Sequence, residues 1–224
     1  MQFKITDDVR RLGVRGAFAI LSNLDNRADA DALAHYRREL MERLRVELTP
    51  DFVESDPILR GFRDLHDAVG RSNRRFPSSA EALVTLFQRK GLVPSISPLV
   101  DIYNGVSLET RLSLGAHDVA KVTGDITLRI TDGSERFVAL GQTMPEPISP
   151  GEYCYVDGGD DVLCRLEHRQ CEKTKLTADT ASAFYIIQGN ASTPHAMLEQ
   201  ALRRLVDLTQ RFCGGREEQF WIVD

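Results

Sequence analysis

The chain holds only four cysteines, Cys154, Cys164, Cys171 and Cys213, and no two of them form a Cys-x-x-Cys pair. That scarcity argues against a disulfide framework and points to reduced thiols in a cytoplasmic protein. Cys164, His168 and Cys171 cluster three metal-binding residue types, but no fourth ligand follows at a recognisable spacing, so no structural zinc and no other cofactor is expected. Long apolar runs are missing too. Nothing is long enough to cross a bilayer, and the stretch from Met1 to Arg11 lacks the apolar core of a signal peptide. Gly158-Gly159 is followed by neither a helical pattern nor Gly-Lys-Ser/Thr, which excludes a phosphate loop. There is no internal repeat and no low-complexity linker. Positive charge is not in excess either. With 28 basic against 33 acidic residues the net charge is −5, which argues against indiscriminate coating of nucleic acid while leaving room for a local basic face.

What is present fits an ordinary globular chain. Of its 224 residues, 42% are hydrophobic and 27% charged, enough to build a core without staples. Val14 to Ile20 is a short apolar run suited to a buried strand, stopped at Asn23-Leu-Asp-Asn26. Leu33, Tyr36, Leu40, Leu44 and Leu48 recur at helical spacing up to Thr49-Pro50. Asp56-Pro57 opens a second helix carrying Ile58, Phe62, Leu65 and Val69. Ser78-Ser-Ala-Glu81 has capping-box spacing for a third, which ends at Gly91. From Gly124 the period becomes two. Ile126, Leu128 and Ile130 form a strand that Asp132-Gly133 is expected to turn into a partner at Phe137 to Leu140. Tyr153 to Val156 and Val162 to Leu166 flank a second hairpin turn. Ala183 to Gln188 is one more strand, and a last helix runs from Thr193-Pro194 to Gly214-Gly215. Gln219 to Val223 reads equally as a strand or a docking tail. The expected architecture is α+β, a mixed, largely antiparallel sheet core with flanking helices. It is read as one domain over 1–224, with a helix-rich part at 1–98, a strand-rich core at 99–190, and a C-terminal helix and tail at 191–224.

One stretch is unusually rich in hydrogen-bonding groups. Asp101, Tyr103, Asn104, Ser107, Glu109 and Thr110 fall between Val100 and Thr110, and His117, Asp118 and Asp125 follow. Such density among apolar neighbours is what a binding or catalytic pocket needs. The plainer reading is that a helix opening at Ser97-Pro98 uses these groups for capping and solvation. On that reading His117 is a structural histidine, and Asp118 and Asp125 are cap and turn residues. A second cluster is basic. Arg165, Arg169, Lys173 and Lys175 fall close together, and Arg71, Arg74, Arg75 and Lys90 gather near the aromatic Phe76. On one side of the molecule they would make a cationic face for RNA phosphates; otherwise they solvate a strand edge and a loop.

Ordered motifs give these clusters a context. Asp101-Ile-Tyr-Asn-x-Val-Ser, Leu112-x-Leu-Gly-Ala-His-Asp118, Gly124-Asp-Ile-x-Leu-Arg129 and Cys164-Arg-x-x-x-Arg-Gln-x-Glu-Lys-Thr-Lys175 together resemble the stand-alone B3/B4 family. That family is similar to the tRNA-binding and editing domain of the phenylalanyl-tRNA synthetase β subunit. The resemblance implies a hydrolase that removes a wrong amino acid from tRNA, the second sieve of a two-sieve system. Its partners would be the 3′ aminoacyl end of a tRNA and the amino-acid moiety, with no membrane; oligomeric state is left open. A module that binds tRNA or an amino acid without hydrolysis is the alternative. On this resemblance Asn104 orients the carbonyl or ribose, Glu109 or Asp125 pairs with the ammonium, and His117 activates water as a base of near-neutral pKa. Asp101, Tyr103, Ser107 and Gly115 would line the pocket, with Arg74, Arg75, Arg165, Arg169, Lys173 and Lys175 on RNA. One departure stands out. The synthetase domain carries Leu-His-Ala-Phe-Asp where this chain has Leu114-Gly-Ala-His-Asp118, so that histidine falls on Gly115 and that phenylalanine on His117. Along an extended segment the two positions share a face.

Overall fold

The computed structural model describes residues 1–27 and 30–223; Asp224, the last residue of the expected tail, lies outside them. In chain order the elements are β1 (Phe3–Ile5), α1 (Asp7–Arg11), β2 (Arg15–Leu24), α2 (Ala30–Glu47), α3 (Phe52–Ser55), α4 (Pro57–Ala68), α5 (Ser79–Lys90) and α6 (Pro98–Thr110). Then come β3 (Ser113–Asp118), a 3-10 turn at Val119–Lys121, β4 (Ile126–Ile130), β5 (Tyr153–Asp157), β6 (Val162–Arg165), β7 (Arg169–Gln170), β8 (Ser182–Gly189), α7 (His195–Cys213) and β9 (Gly214–Val223). The architecture is α+β, as expected.

Helix starts follow the capping chemistry. Asp56 accepts from the backbone N–H of Ile58 at 3.0 Å and of Leu59 at 2.9 Å, with Pro57 in the first turn. Ser78 Oγ accepts from Glu81 N at 3.2 Å, and Gly91 closes α5 at φ 68°. The reciprocal half of the capping box is missing. Glu81 turns instead to Arg63 at 3.0 Å and Asn73 at 3.0 Å.

The strands form two sheets. One is antiparallel, in the order β3-β8-β2-β9; the other runs β1-β4-β5-β6-β7, parallel only between β1 and β4. The ambiguous segment at Gln219 to Val223 is thus strand, paired with β2. Aromatic rings fill the space between the sheets. Phe3 of β1 lies 4.1 Å from Phe18 of β2 and 5.4 Å from Phe184 of β8, and Phe18 lies 6.2 Å from Tyr155 of β5. Phe18, Tyr155 and Phe184 are fully buried, so this contact contributes area burial and ring packing together. A second apolar cluster joins α2, α5 and α6 through Leu40, Leu44, Val84, Phe87 and Leu108.

The strand Ile126 to Ile130 forms, but its expected hairpin partner does not. Residues 137–140 make only isolated bridges, Phe137 to Glu146 and Ala139 to Cys171. The turn is closed by a side chain. Glu135 is buried, accepts from Asp132 N at 3.1 Å and Gly133 N at 3.0 Å, and pairs with Arg129. With its carboxylate holding the loop, β4 pairs with β1 and β5 instead. The second hairpin forms as read, with β5 and β6 flanking the turn at 157–161.

Candidate functional site

A cavity of about 360 Å³ opens between the sheets at the end of α6 and β3. Its size suits a small ligand. Tyr103 and Asn104 of α6 form one wall, and Ser113, Leu114 and Gly115 of β3 another. Ile186 of β8, register partner of Gly115, continues it. Glu167, His168, Arg169 and Gln170 close the opposite side, with Cys164 and Tyr155 behind them. Gly115 makes the closure possible, because a Cβ there would overlap Gln170 Nε2. The amides of Asn104 and Gln170 line this space without hydrogen-bond partners among the described residues.

The opposite wall rests on a strained turn. Leu166 and Glu167 both adopt positive φ, 52° and 34°, between the paired residues Arg165 and Arg169, and His168 N donates to Arg165 O at 2.9 Å. Non-glycine residues pay for this conformation, and it persists only where surroundings hold it. Here they do. Glu167 Oε1 lies 2.6 Å from Nε2 of the fully buried His66, while Oε2 accepts from Tyr153 OH at 2.7 Å and Gln188 Nε2 at 2.8 Å. Gln188 Oε1 accepts in turn from Tyr155 OH at 2.7 Å, and Ser79 N donates to the Glu167 carbonyl at 3.0 Å. Burial works to lower the His66 pKa, but the Glu167 carboxylate outweighs it and the net shift is upward. Burial and the same carboxylate push the Tyr153 phenol up.

His168 is fixed differently. Its Nδ1 lies 2.7 Å from the Pro77 carbonyl oxygen. A carbonyl only accepts, so Nδ1 carries the proton and Nε2 is left as an acceptor. The Phe76 ring meets the imidazole edge-on at 5.6 Å. Burial, with help from His66 and Arg169, lowers the His168 pKa against the opposing pull of Pro77 O and Glu167.

Beside the cavity lies a buried ion triad. The fully buried Glu152 takes Arg165 in a fork at 2.6 and 2.7 Å and Arg71 at 2.6 Å. The two arginines overcome the burial penalty and hold the Glu152 carboxyl below its ordinary range. Arg165 and Arg75 both lie over Phe76, at 5.0 and 5.4 Å from the ring centre.

Of the residues given pocket or RNA roles in the sequence, Tyr103, Asn104, Gly115 and Arg169 meet on this cavity. The others with such roles are elsewhere. Asp101 accepts from Ser95 Oγ and Ile96 N and pairs with Arg37 at 3.2 Å, closing the loop before α6. Ser107 donates to Leu112 O at 2.7 Å, where the chain turns from α6 into β3. Glu109 pairs with Arg43 and Arg204, and the exposed Asp125 accepts from Gln2 N. His117 shares the Gly115 face of β3 but is sealed at 0% exposure, with Nδ1 2.7 Å from Thr174 Oγ1. Burial drops its pKa to about 4, so it is neutral, and its Nε2 meets no hydrogen-bond partner. It does not line the cavity.

The basic residues divide in the same way. Arg165 is buried on Glu152; Lys173 lies 2.7 Å from both Asp157 and Asp161; Lys175 pairs with Glu172. Arg74, Arg75 and Arg169 are exposed and make no ion pair among the described residues. Among the described residues, no group of three or more His, Cys, Asp or Glu side chains is placed to hold a metal, Cys164, His168 and Cys171 included. No helix among them is long and apolar enough to cross a membrane.

Glu167, Gln170 and Gln188 escaped the sequence reading as site residues, and so did His66. His168 drew notice only beside two cysteines. The available signal was the Arg-Leu-Glu-His-Arg-Gln run, whose meaning depends on a backbone turn with no glycine or asparagine to announce it.

A two-sheet α+β fold enclosing a polar cavity beside α6 defines the class. The chain belongs to the B3/4 domain family, whose model matches residues 63–214. It is 28% identical to the phenylalanine–tRNA ligase β subunit of Shewanella oneidensis, over 57% of this chain and 19% of that protein. The crystal structure of an N-terminal fragment of the phenylalanyl-tRNA synthetase β subunit from Pyrococcus horikoshii superposes with a TM-score of 0.54 at 14% identity, covering 96% of this chain and 50% of that one. That second likeness is one of fold. The chain spans half or less of either relative's length.

Proposed function

We propose that the cavity receives the aminoacyl end of a tRNA and hydrolyses its ester, making the protein a deacylase of mischarged tRNA. The observation that carries this reading is the pair of amides, Asn104 and Gln170, that line the cavity with no hydrogen-bond partner among the described residues. They share a space with Leu114, Ile186, the Glu167 carboxylate and the Arg169 guanidinium, which donates to Leu140 O at 3.2 Å. The amide N–H groups and Arg169 suit an ester carbonyl and the negative charge that develops on it. The amide oxygens suit an α-ammonium group, with the Glu167 carboxylate, itself held by His66, Tyr153 and Gln188, as a nearby negative charge. The apolar wall takes the amino-acid side chain. Exposed Arg75, which reaches towards the mouth by way of Phe76 and His168, and its exposed neighbour Arg74 suit phosphates of the 3′ strand. Relatedness to a synthetase subunit named for phenylalanine and tRNA supports the same substrate class.

The second reading is a module of the same fold that binds without hydrolysis. The sealing of His117 favours it, because the histidine expected to activate water does not reach the cavity. A panel of tRNAs charged with cognate and noncognate amino acids separates the readings. Release of amino acid from some of them, reduced by about 10²- to 10³-fold in Asn104→Ala, is expected of the deacylase. Binding without release indicates the module. Absence of both binding and release would rule out either role.

A further inference from the structure

We propose that His168, from the strained turn between β6 and β7, is the general base of this cavity, in place of His117 on β3. The inference rests on the deacylase reading above and assigns its proton-transfer step. Four observations carry it. His168 lines the cavity, whereas His117 is sealed two residues beyond Gly115. The Pro77 carbonyl fixes the Nδ1–H tautomer, so Nε2, which has no hydrogen-bond partner among the described residues, is the lone pair available to a water. The ring cannot swing freely, being held at Nδ1 and flanked edge-on by Phe76. The turn that presents it holds two non-glycine residues at positive φ, anchored by the His66–Glu167–Gln188 network. Strain of this kind marks a position that the surroundings enforce.

The chemistry balances without a metal or covalent nucleophile. As the water oxygen bonds to the ester carbonyl carbon, one water proton passes to His168 Nε2. Asn104, Gln170 and Arg169 face the oxyanion. The bond from that carbon to the ribose oxygen then breaks, and the imidazolium returns its proton to the leaving oxygen. The products are a free ribose hydroxyl and an amino acid, whose carboxyl proton goes to solvent. A base working near neutrality must be unprotonated there, and the lowered pKa of His168 agrees with that need. The charged groups around it are His66 on α4, Glu167 and Arg169 in its own turn, and Arg75 and Arg165 over Phe76. Behind the same wall, burial raises the Cys164 thiol well above its ordinary range, which leaves it neutral.

His168→Asn is the discriminating variant, because the asparagine Nδ2 can take over the Nδ1–H donation to Pro77 while offering no base. We expect deacylation to fall by about 10²- to 10⁴-fold, with affinity for a non-hydrolysable aminoacyl-RNA analogue unchanged. In the wild-type protein the rate should rise with pH through an apparent pKa below the ordinary 6.5 of histidine, and that acid limb should vanish in the variant. His168→Gln provides a second test should the first variant fail to fold. In the intact protein, ¹⁵N NMR should show an Nδ1-protonated His168 whose Nε2 resonance moves when the analogue binds. Retention of wild-type rate and acid limb in His168→Asn, or an Nε2-protonated tautomer, would overturn the assignment. Wild-type protein that binds the analogue but never turns over would overturn it while leaving the binding reading intact. Protein that does neither overturns both.

Discussion

The amide of Gln170 lies where a side chain on Gly115 would have to begin. One wall of the cavity therefore depends on a residue with no side chain, and the other on the group that fills its place. Gly115→Ala is expected to cost little stability, about 1 kcal/mol or less, because the displaced atom is the free end of a flexible side chain. It should nevertheless disturb ligand binding by driving the Gln170 amide from its position. Urea unfolding and binding of an aminoacyl analogue, measured on one preparation, test both halves. Large destabilisation with unchanged affinity would contradict the arrangement.

The His66–Glu167 pair carries a pH signature. His66 has its pKa raised in the folded state, so its contribution is fully present below the unfolded value of 6.5 and is lost as pH rises through the folded value. Glu167→Gln removes the partner of a fully buried histidine and should cost about 3–5 kcal/mol at pH 6, as other buried pairs do when one member is lost. The deficit should shrink at alkaline pH. A pH series of urea midpoints would show it, and a deficit independent of pH would contradict the pairing.

His117 works in the opposite direction. Its folded pKa falls from 6.5 to about 4, so the unfolded chain takes up its proton first and stability drops as pH falls through that window. The drop amounts to about 3 kcal/mol at 1.36 kcal/mol per unit. His117→Gln should flatten this slope between pH 6.5 and 4. If the slope persists unchanged in the variant, the acid sensitivity belongs elsewhere.

The helices and most strands could be read from the sequence because their signals are local. Asp56-Pro57, Ser78 with Gly91, and the alternation at Ile126 to Ile130 each state their structure within a few residues. The failed hairpin at Asp132-Gly133 also has a local cause, but it lies in Glu135 folding back onto the turn, which alternation does not report. Half the cavity was legible in the same sense, since Tyr103, Asn104 and Gly115 sit in the polar stretch first noticed. The other half was not. Glu167 matters because His66, Tyr153 and Gln188 converge on it from three other elements, and His168 matters because Pro77 fixes its tautomer. Long-range pairings of this kind leave no periodicity. The basic segment left its role open for the related reason that charge in a sequence does not reveal its partner: Arg165, Lys173 and Lys175 all meet carboxylates.

That division gives a nucleic-acid experiment a clear contrast. Replacing Arg74, Arg75 and Arg169 by alanine should weaken tRNA binding and reduce the magnitude of the log–log salt slope by about 2, at 0.7 per single-strand phosphate contact. Lys173→Ala should leave the slope unchanged and lower stability instead, since Lys173 holds Asp157 and Asp161. Filter binding across a salt series checks both, and an altered slope in Lys173→Ala would place the RNA contact on the other side of the hairpin.

Strand β2 sits between β8 and β9, both from the far end of the chain. Phe18, Ile20 and Leu21 are made before residues 182–223, from which both of their strand neighbours come. Until those residues are made, this apolar segment lacks both of its sheet partners. Such non-local pairing slows folding and leaves the nascent strand exposed to aggregation. An inner strand of the finished sheet is thus a part of the chain that a chaperone would have reason to shield during synthesis.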